Sequence, residues 1–320
     1  MQRKFRSFSN RNFGFIGGAV CLLASVMTPP AQAQVFSWTK EEMAEYTKAW
    51  TGERFADGRP KVPDSWLERA KEMSQEEVKI PSGRDGGPPN IAPYSQYDGN
   101  FKVVHPELRM AGRVVTAMYM PARADIDAIM FGKFRDKGVV LDNQWPIDQL
   151  KPGDVLVIDM YGRVDGGGII GDNLFYYMMK ATKGGGVVIN GSLRDLDGIS
   201  EIKMPGYVRT VTPTWFGEST LYGYNVPVRM GNVTVMPGDI ALGDKEGVSF
   251  IPPSLAEKIL DTADETHIHD EWTKMKFDEG KYVSTDIYST PKTDALKKEY
   301  QEYLKKKLDE LRASRAAGKK

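Results

Sequence analysis

The chain has 320 residues, with 43 basic and 43 acidic side chains and a single cysteine, Cys21. Removal of residues 1–33 would take away four basic residues and no acidic one, so the remaining chain would carry a net charge of −4. That balance leaves no basic field to attract nucleic acid. The remaining chain would also contain no cysteine, which excludes disulfides, thiolate catalysis and cysteine-ligated zinc.

Residues 1–33 have the pattern of a secretory signal peptide. A basic start precedes an apolar run from Phe13 to Met27, and Ala31-Gln32-Ala33 supplies small residues for cleavage before Gln34. The apolar run is too short and wrongly flanked for a spanning helix, although an uncleaved N-terminal anchor is the alternative. We therefore expect a periplasmic or secreted protein without stable membrane insertion after cleavage.

A helical N-terminal extension is predicted over residues 34–80. Thr39 and Glu42 have the spacing of a capping box at the start of one helix, and Asp64 is a good N-cap for a second. Residues 81–99 are rich in proline and glycine and show no periodicity, which predicts a loop or linker.

The main domain is predicted over residues 100–262. Short segments rich in valine and isoleucine alternate there with helical stretches, a pattern typical of buried strands in an α/β fold. Residues 263–320 are predicted to form a polar C-terminal extension that ends in a lysine-rich helix from Thr293, with an apolar stripe at spacings of three and four. The stripe predicts that this helix packs on its own subunit or on a neighbour, and membrane or partner binding is the alternative. The predicted strands cover 113–118, 154–158, 186–189, 226–230, 233–235, 240–242 and 248–251.

Asp172, Arg194 and Asp195 are the residues most suggestive of chemistry. Asp172 begins a predicted helix, and the Arg-Asp pair follows a predicted strand, at the sheet edge where open α/β folds bind ligands. Arg194 can bind a carboxylate through two parallel hydrogen bonds, Asp195 can hold a hard divalent cation, and the backbone N–H groups after Asp172 can bind an anion. Together they indicate a site for a small 2-oxo acid. A surface ion pair and a simple helix cap are the structural alternatives.

Three further motifs point to function less strongly. Gly166–Gly168 lacks the Lys-Ser/Thr of a phosphate loop and is predicted to be a flexible rim of the pocket. His267 and His269 lie in a polar segment that is predicted to be a solvated surface rather than a metal site. Gly191-Ser192 lacks the frame of a serine nucleophile elbow, which argues against a serine hydrolase.

Five segments resemble the RraA-like family, which includes class II 4-hydroxy-4-methyl-2-oxoglutarate aldolases. The resemblance implies an α/β fold with a three-layer β/β/α swivelling-type core, to which this chain adds N-terminal and C-terminal helices. It also implies a homotrimer, or a hexamer of two trimers, with active sites between subunits. The matching segments are HPELRMAGRVVTA (105–117), PGDVLVID (152–159), GDNL (171–174), GGGVVINGSLRDLDGI (184–199) and NVPVRMGNVTVMPGDIALGDKEGVSFIP (225–252).

The resemblance further assigns roles to the site residues. Arg194 would bind the substrate carboxylate, Asp195 would ligate Mg²⁺, and Asp172 would position or deprotonate a metal-bound water. An oxygen-ligated Mg²⁺ or Mn²⁺ also suits a chain with only three histidines. The implied substrate-binding set adds Gly171, Asn173 and Leu174 to Arg194, and the implied acid from a neighbouring subunit is Glu246 or Asp244.

These residues predict a divalent-metal-dependent carbon–carbon lyase that acts on a small 2-oxo or hydroxy acid through an enolate, by retro-aldol cleavage, decarboxylation or both. The alternative is a non-catalytic exported binding or scaffold protein on the same fold. It is motivated by the added segments and by Asn190, which stands where an aspartate is common in the family. A ribonuclease E regulator would need a cytoplasmic partner, which the export signal opposes. A methyltransferase is not supported, because the sequence has no suitable glycine-rich loop between a strand and a helix.

Overall fold

A mixed β-sheet lies at the centre of the protein. The computed structural model describes residues 36–78, 96–136, 138–288 and 290–317, and eleven strands and nine helices occur within them. The strands are β1 (Tyr97–Asp98), β2 (Lys102–Val103), β3 (Met110–Pro121), β4 (Asp154–Asp159), β5 (Gly186–Leu193), β6 (Gly206–Val211), β7 (Ser219–Tyr224), β8 (Val228–Met230), β9 (Val233–Val235), β10 (Ile240–Gly243) and β11 (Val248–Ile251). The helices are α1 (Lys40–Tyr46), α2 (Asp64–Lys71), α3 (Ala124–Arg135), α4 (Gln144–Asp148), α5 (Asp172–Thr182), α6 (Leu196–Ser200), α7 (Pro253–Asp278), α8 (Ser284–Ile287) and α9 (Asp294–Ala317).

The central sheet has the strand order β1-β11-β10-β3-β4-β5-β6-β2, and β7 pairs with the last part of β3. Neighbouring strands from β3 to β6 are parallel, and the outer pairs are antiparallel. Strands β4 and β5 are buried along their whole length, as expected of parallel strands covered on both faces. The parallel strands therefore end together along one edge of the sheet.

Both faces of the sheet are covered. The hairpin of β8 and β9 packs on one face, where Val228 and Val235 join Val155 and Val188 in a buried cluster. Helices α3 to α6 cover the parallel strands on the other face, and α2 and α7 cover β10 and β11. This arrangement confirms the predicted α/β fold with β/β/α layers and with extra helices at both ends.

The N-terminal extension begins with the predicted capping box. The Glu42 N–H donates to Thr39 Oγ1 at 3.1 Å, and the Thr39 N–H donates to Glu42 Oε2 at 2.8 Å. The signal peptide predicted for residues 1–33 lies outside the described residues, as does the predicted linker up to residue 95. The last part of that linker contains β1, which pairs with β11.

The C-terminal helices pack on the N-terminal extension. Helix α7 has 26 residues and runs without interruption through the predicted boundary at 262/263. Helix α9 runs antiparallel to it, and Asp264 of α7 pairs with Arg69 of α2 and Arg315 of α9. The domain boundaries stay predictions. Within the described part of the chain, no helix is both long enough and apolar enough to cross a membrane.

Two Pro-Gly-Asp turns lead into β4 and β10. In each turn the aspartate accepts a backbone N–H at 2.9 Å, from Lys151 to Asp154 and from Met236 to Asp239. Arg59 of the N-terminal extension donates to Asp154 at 2.8 Å, and both side chains are at most 2% exposed. Asp239 has no cation within ion-pair distance among the described residues, and burial raises its pKa to about 7 although the Met236 N–H lowers it. The two turns thus differ in how they hold a buried carboxyl group.

Candidate functional site

Two loops at the carboxyl edge of the sheet bring Asp172, Arg194 and Asp195 together. Arg194 and Asp195 directly follow β5, and Asp172 is the first residue of α5. Gly171 lies between them: a Cβ atom added to it would be 2.4 Å from Asp195 Oδ2 and 2.9 Å from Arg194 Cζ. Such distances are too short for a side chain. The loops can approach this closely only because residue 171 is glycine.

Arg194 and Asp195 form an ion pair in this loop. Arg194 Nη1 lies 2.7 Å from Asp195 Oδ2, and the two side chains are 29% and 32% exposed. Among the described residues, Arg194 Nε has no hydrogen-bond acceptor although it is buried. Because Nε is buried, Arg194 can present only its Nη atoms to a carboxylate, and Nη1 already contacts Asp195.

Three residues at this edge have strained backbones. Asp195 adopts a left-handed conformation with φ +59°, and Tyr161 and Glu218 have φ +47° and +54°. Tyr161 follows β4 and Glu218 precedes β7, so both lie in loops at the same edge as Asp195. Strained non-glycine residues concentrate at functional sites. Lys183, with φ +55°, lies at the opposite edge before β5, so backbone strain does not by itself mark the site.

Asp172 lies against helix α6. Its Oδ1 accepts the N–H of Asn173 at 2.7 Å, and a Cβ added to Gly198 would lie 2.9 Å from its Oδ2. Asn173 is exposed, while Leu174 packs against the core on the helical face. The backbone N–H of Asn173 is thus engaged by Asp172, and the substrate-binding roles of Asn173 and Leu174 stay predictions.

Asp195 is the candidate ligand for the predicted divalent cation. Within the described residues, no group of three or more His, Cys, Asp or Glu side chains is placed to hold a metal ion. Mg²⁺ commonly uses only one or two carboxylates and retains several waters, whereas zinc prefers nitrogen and sulfur ligands. Asp195 is reachable by solvent, and only its Oδ2 is paired with Arg194. It therefore suits Mg²⁺ or Mn²⁺ better than zinc.

Asp244 and Glu246 lie at the opposite edge of the sheet. They belong to the turn between β10 and β11, beside the start of β3, whereas Arg194 follows the end of a strand parallel to β3. Asp244 is buried and accepts the N–H groups of Gln75 and Glu246 at 3.0 and 2.8 Å. Glu246 is exposed and lines an open cleft of about 440 Å³. One chain does not bring either acid to Arg194.

Asn190 belongs to a polar network on the hairpin side of the sheet. Its Nδ2 donates to Asp159 Oδ1 at 2.9 Å, and its Oδ1 accepts from Arg209 Nε at 2.9 Å. Arg209 also pairs with Asp98 at 2.7 Å. An aspartate at 190 would oppose the carboxylate of Asp159. The asparagine is thus explained by local hydrogen bonding and charge, separately from Arg194.

The histidine segment lies on helix α7. His267 Nδ1 is 2.7 Å from Glu77 Oε1, and its side chain is exposed, which agrees with the predicted solvated surface. His269 is half-buried and its ring lies 5.3 Å from that of Tyr300 on α9, so the prediction is wrong for this residue. The reason is that α9 packs against α7 at this position and covers the His269 ring.

Trp215 is a site residue that the sequence analysis missed. Its ring centroid is 5.5 Å from Arg194 Cζ, and the side chain is 44% exposed. The sequence does contain a pattern that could have indicated it, the aromatic pair Trp215-Phe216 in a loop between Pro213 and Gly217. Exposed aromatic residues in loops often bind ligands.

Comparison with known proteins identifies relatives of the central part of the chain. The model of the RraA-like family, described as Aldolase/RraA, matches residues 90–249. A protein of Halalkalibacterium halodurans with the provisional name 4-hydroxy-4-methyl-2-oxoglutarate aldolase is 34% identical over 124 residues, which are 38% of this chain and 58% of that protein. The 4-hydroxy-4-methyl-2-oxoglutarate aldolase of Thermus thermophilus is 30% identical over 95 residues, 28% of this chain and 57% of that protein. The chain thus spans less than two thirds of either relative.

Solved structures share the fold. RraAS2 of Streptomyces coelicolor, described as an unusual member of the RNase ES inhibitor RraA protein family, has a TM-score of 0.56 at 24% identity and covers 68% of this chain and 98% of its own. An uncharacterized protein from Pseudomonas syringae has a TM-score of 0.57 at 19% identity, with 74% and 97% covered. At these identities the likeness establishes the fold alone.

Proposed function

Because the chain belongs to the RraA-like family, we propose that it is a divalent-metal-dependent carbon–carbon lyase that acts on a small 2-oxo or hydroxy acid. The observation that carries the proposal is the placement of Asp172, Arg194 and Asp195 around Gly171 at the carboxyl edge of the sheet. The aldolase names of the two relatives support the same class of reaction.

The proposed retro-aldol reaction starts at the hydroxyl of a 4-hydroxy-2-oxo acid. A base removes the hydroxyl proton and the bond between carbons 3 and 4 breaks. Carbon 4 and its oxygen leave as the carbonyl group of an aldehyde or ketone, and the electron pair of the broken bond forms the enolate of the 2-oxo acid. Protonation at carbon 3 then gives pyruvate or its homologue. Decarboxylation of oxaloacetate breaks the bond to the departing CO₂ and leaves the same enolate, so one site can support both reactions.

Each residue has a role that follows from its chemistry. Arg194 binds the carboxylate next to the oxo group with paired hydrogen bonds and stabilises the negative charge that develops beside it. Asp172 is the candidate base for the hydroxyl proton. Asp195 would hold Mg²⁺ or Mn²⁺, which supplies Lewis-acid polarisation of the oxo group when bound. Arg194 would exchange its contact with Asp195 for one with the substrate.

The assembly is proposed to be a homotrimer or a hexamer of two trimers. Asp172, Arg194 and Asp195 come from two loops on one side of the proposed site, and the acids Asp244 and Glu246 lie at the other edge of the same chain. A neighbouring copy can present that edge to Arg194. Closure would exclude water and strengthen the charged contacts in a lower dielectric. Export to the periplasm or beyond is part of the proposal and rests on the pattern of residues 1–33.

A non-catalytic exported binding or scaffold protein is the second candidate function. One reason for this alternative was Asn190, but the amide of Asn190 forms hydrogen bonds with Asp159 and Arg209 on the other side of the sheet. The remaining motivation is the added helices, among which α7 and α9 pair through Asp264 and Arg315.

Metal titration separates the two functions. Calorimetry of the protein without residues 1–33 should show binding of Mn²⁺, and Asp195→Asn should abolish it because the substitution removes the charge of the carboxylate that is proposed to hold the cation. Asp197→Asn is the matched control, since Asp197 lies in the first turn of α6 and should leave binding unchanged. Absence of Mn²⁺ binding would favour the scaffold, whereas equal loss in both variants would contradict the specific assignment of Asp195 as the ligand.

A further inference from the structure

Gln75 of the N-terminal extension binds the hairpin formed by β10 and β11. Its side chain is buried, and its amide Nε2 donates to Leu242 O at 2.9 Å and to Gly247 O at 3.1 Å. Its Oε1 accepts a hydrogen bond from Ser249 Oγ at 2.5 Å. Both polar atoms of this side chain are therefore used, and all of their partners belong to the one hairpin.

Hydrogen bonding also shows which acid of the β10–β11 turn is free. Asp244 Oδ2 accepts the Gln75 N–H at 3.0 Å and Oδ1 accepts the Glu246 N–H at 2.8 Å, so both oxygens of this buried carboxylate are engaged within the chain. Glu246 is exposed, and over the described ranges of the chain its carboxylate accepts no hydrogen bond and forms no ion pair. Glu246 is thus the acid that this turn can offer to another molecule.

The backbone around Glu246 is held although its side chain is free. Tyr97 Oη donates to Glu246 O at 2.7 Å, and Tyr207 Oη donates to Asp244 O at 3.0 Å. A catalytic group must be held to within about 0.5 Å, which requires support from packed and hydrogen-bonded neighbours. Gln75, Tyr97 and Tyr207 supply such support from three separate segments.

The N-terminal extension also forms one wall of the space next to Glu246. The cleft of about 440 Å³ that Glu246 lines is bounded by two residues of the extension, Ser74 and Glu76, and by Arg109. Arg109 Nη1 donates to Met73 O at 2.6 Å, which ties the extension to the start of β3. The extension is therefore fixed on both sides of the turn that carries Glu246.

We infer that Gln75 is a positioning residue, which holds the β10–β11 turn so that Glu246, and not Asp244, is the acid that one copy presents to Arg194 of the next. The inference rests on the proposed function, which closes the site with a neighbouring copy at this edge. Glu246 is then the catalytic residue, because its carboxyl group can hold or move a proton beside the substrate, and Gln75 acts only through it. Gln75 lies outside the segment that the family model matches, residues 90–249.

A double-mutant cycle tests the connection between Gln75 and Glu246. Gln75→Ala keeps the backbone N–H that binds Asp244 but removes the contacts to the hairpin, and it should lower kcat for pyruvate release about tenfold with KM within about twofold. In protein that already carries Glu246→Gln, the same substitution should lower kcat by less than about twofold. A purely structural role would instead lower kcat equally in both backgrounds.

Glu77→Gln is the matched control for this cycle. Glu77 belongs to the same extension, but its carboxylate lies 2.7 Å from His267 of α7 and does not contact the turn. The substitution should leave kcat within about twofold.

Mixed oligomers test the placement across copies. Gln75→Ala chains and Arg194→Lys chains, co-expressed in equal amounts with different affinity tags, should form oligomers with about a quarter of the unchanged activity, because about one site in four joins an intact Arg194 to an intact turn of another chain. This activity should exceed the mean of the two separate variants several-fold. A turn that served Arg194 of its own chain would give no such gain.

The outcomes separate this inference from the proposed function. If the unchanged protein releases pyruvate but Glu246→Gln leaves kcat unchanged, or Gln75→Ala lowers kcat equally in both backgrounds, the inference is overturned and the lyase stands. The same holds if the mixed oligomers gain no activity. If the unchanged protein with Mg²⁺ releases no pyruvate from a 4-hydroxy-2-oxo acid or from oxaloacetate, the proposed function is overturned and the inference falls with it. Melting temperatures show whether Gln75→Ala is folded, and Gln75→Met, which fills similar space without a donor, provides the test if it is not.

Discussion

Arg194→Lys should lower kcat/KM for metal-dependent pyruvate release by about a hundredfold or more. Lysine keeps the positive charge but loses the planar fork that can bind a carboxylate through two parallel hydrogen bonds. The loss should appear in both kcat and KM, because Arg194 is assigned to the substrate carboxylate and to the charge that develops in the enolate. Steady-state kinetics at saturating Mg²⁺ measure it.

The matched control is Arg123→Lys. Arg123 also pairs with an acid close in sequence, Asp125 at 2.9 Å, but both side chains are mostly exposed and precede or begin α3. That substitution should leave kcat/KM within about twofold, as expected for an exposed ion pair of little energetic value. Equal kinetics for the two variants would show that Arg194 does not contact the substrate.

Asp154→Asn should reduce the free energy of unfolding by about 3 kcal/mol or more, because it leaves a buried arginine without its counter-charge. Arg59 Nη1 and Nη2 donate to the two oxygens of Asp154 at 2.8 and 3.3 Å, and neither side chain is reached by water. Urea denaturation followed by circular dichroism gives the value. A change below about 1 kcal/mol would mean that the N-terminal extension contributes little through this pair.

Asp239→Asn is the matched control in the second Pro-Gly-Asp turn. Burial raises the pKa of Asp239 to about 7, so the folded protein retains this proton at pH values where the unfolded chain, with a pKa near 3.8, has lost it. Its contribution to stability is present at low pH and is lost as the pH rises from about 4 to 7. In Asp239→Asn the free energy of unfolding should therefore fall less steeply over that pH range, and at pH 7 it should differ little from that of the unchanged protein. The residual slope should come from Asp142, whose pKa burial raises to about 6.

The strands lined by valine and isoleucine could be predicted from the sequence because burial on both faces requires continuous apolar runs. The segments 233–235 and 248–251 match β9 and β11 in the structure. β6 and β7 were not predicted. Arg209 interrupts the apolar run of β6, and Tyr222 and Tyr224 leave β7 without a clear alternation of apolar and polar residues. Their positions depend on partners far along the chain, β5 and β3.

The site could be predicted only in part. A strand end and a helix start are local features, so Asp172, Arg194 and Asp195 could be placed at one edge from the sequence. Trp215 could not, because its approach to Arg194 depends on Gly167 and Gly168, which pack between two loops instead of forming the predicted flexible rim. The apolar stripe of α9 predicted packing on the same subunit or a neighbour, but it could not identify α7 as the partner, because Asp264 meets Arg315 only through tertiary contact.

The most direct test of the proposed reaction is pyruvate release by the purified protein without residues 1–33. Pyruvate should form from a 4-hydroxy-2-oxo acid, from oxaloacetate or from both when Mg²⁺ is present, and a chelator should stop its formation until Mg²⁺ is restored. A folded, metal-loaded protein that releases pyruvate from neither substrate would contradict the assignment as a carbon–carbon lyase.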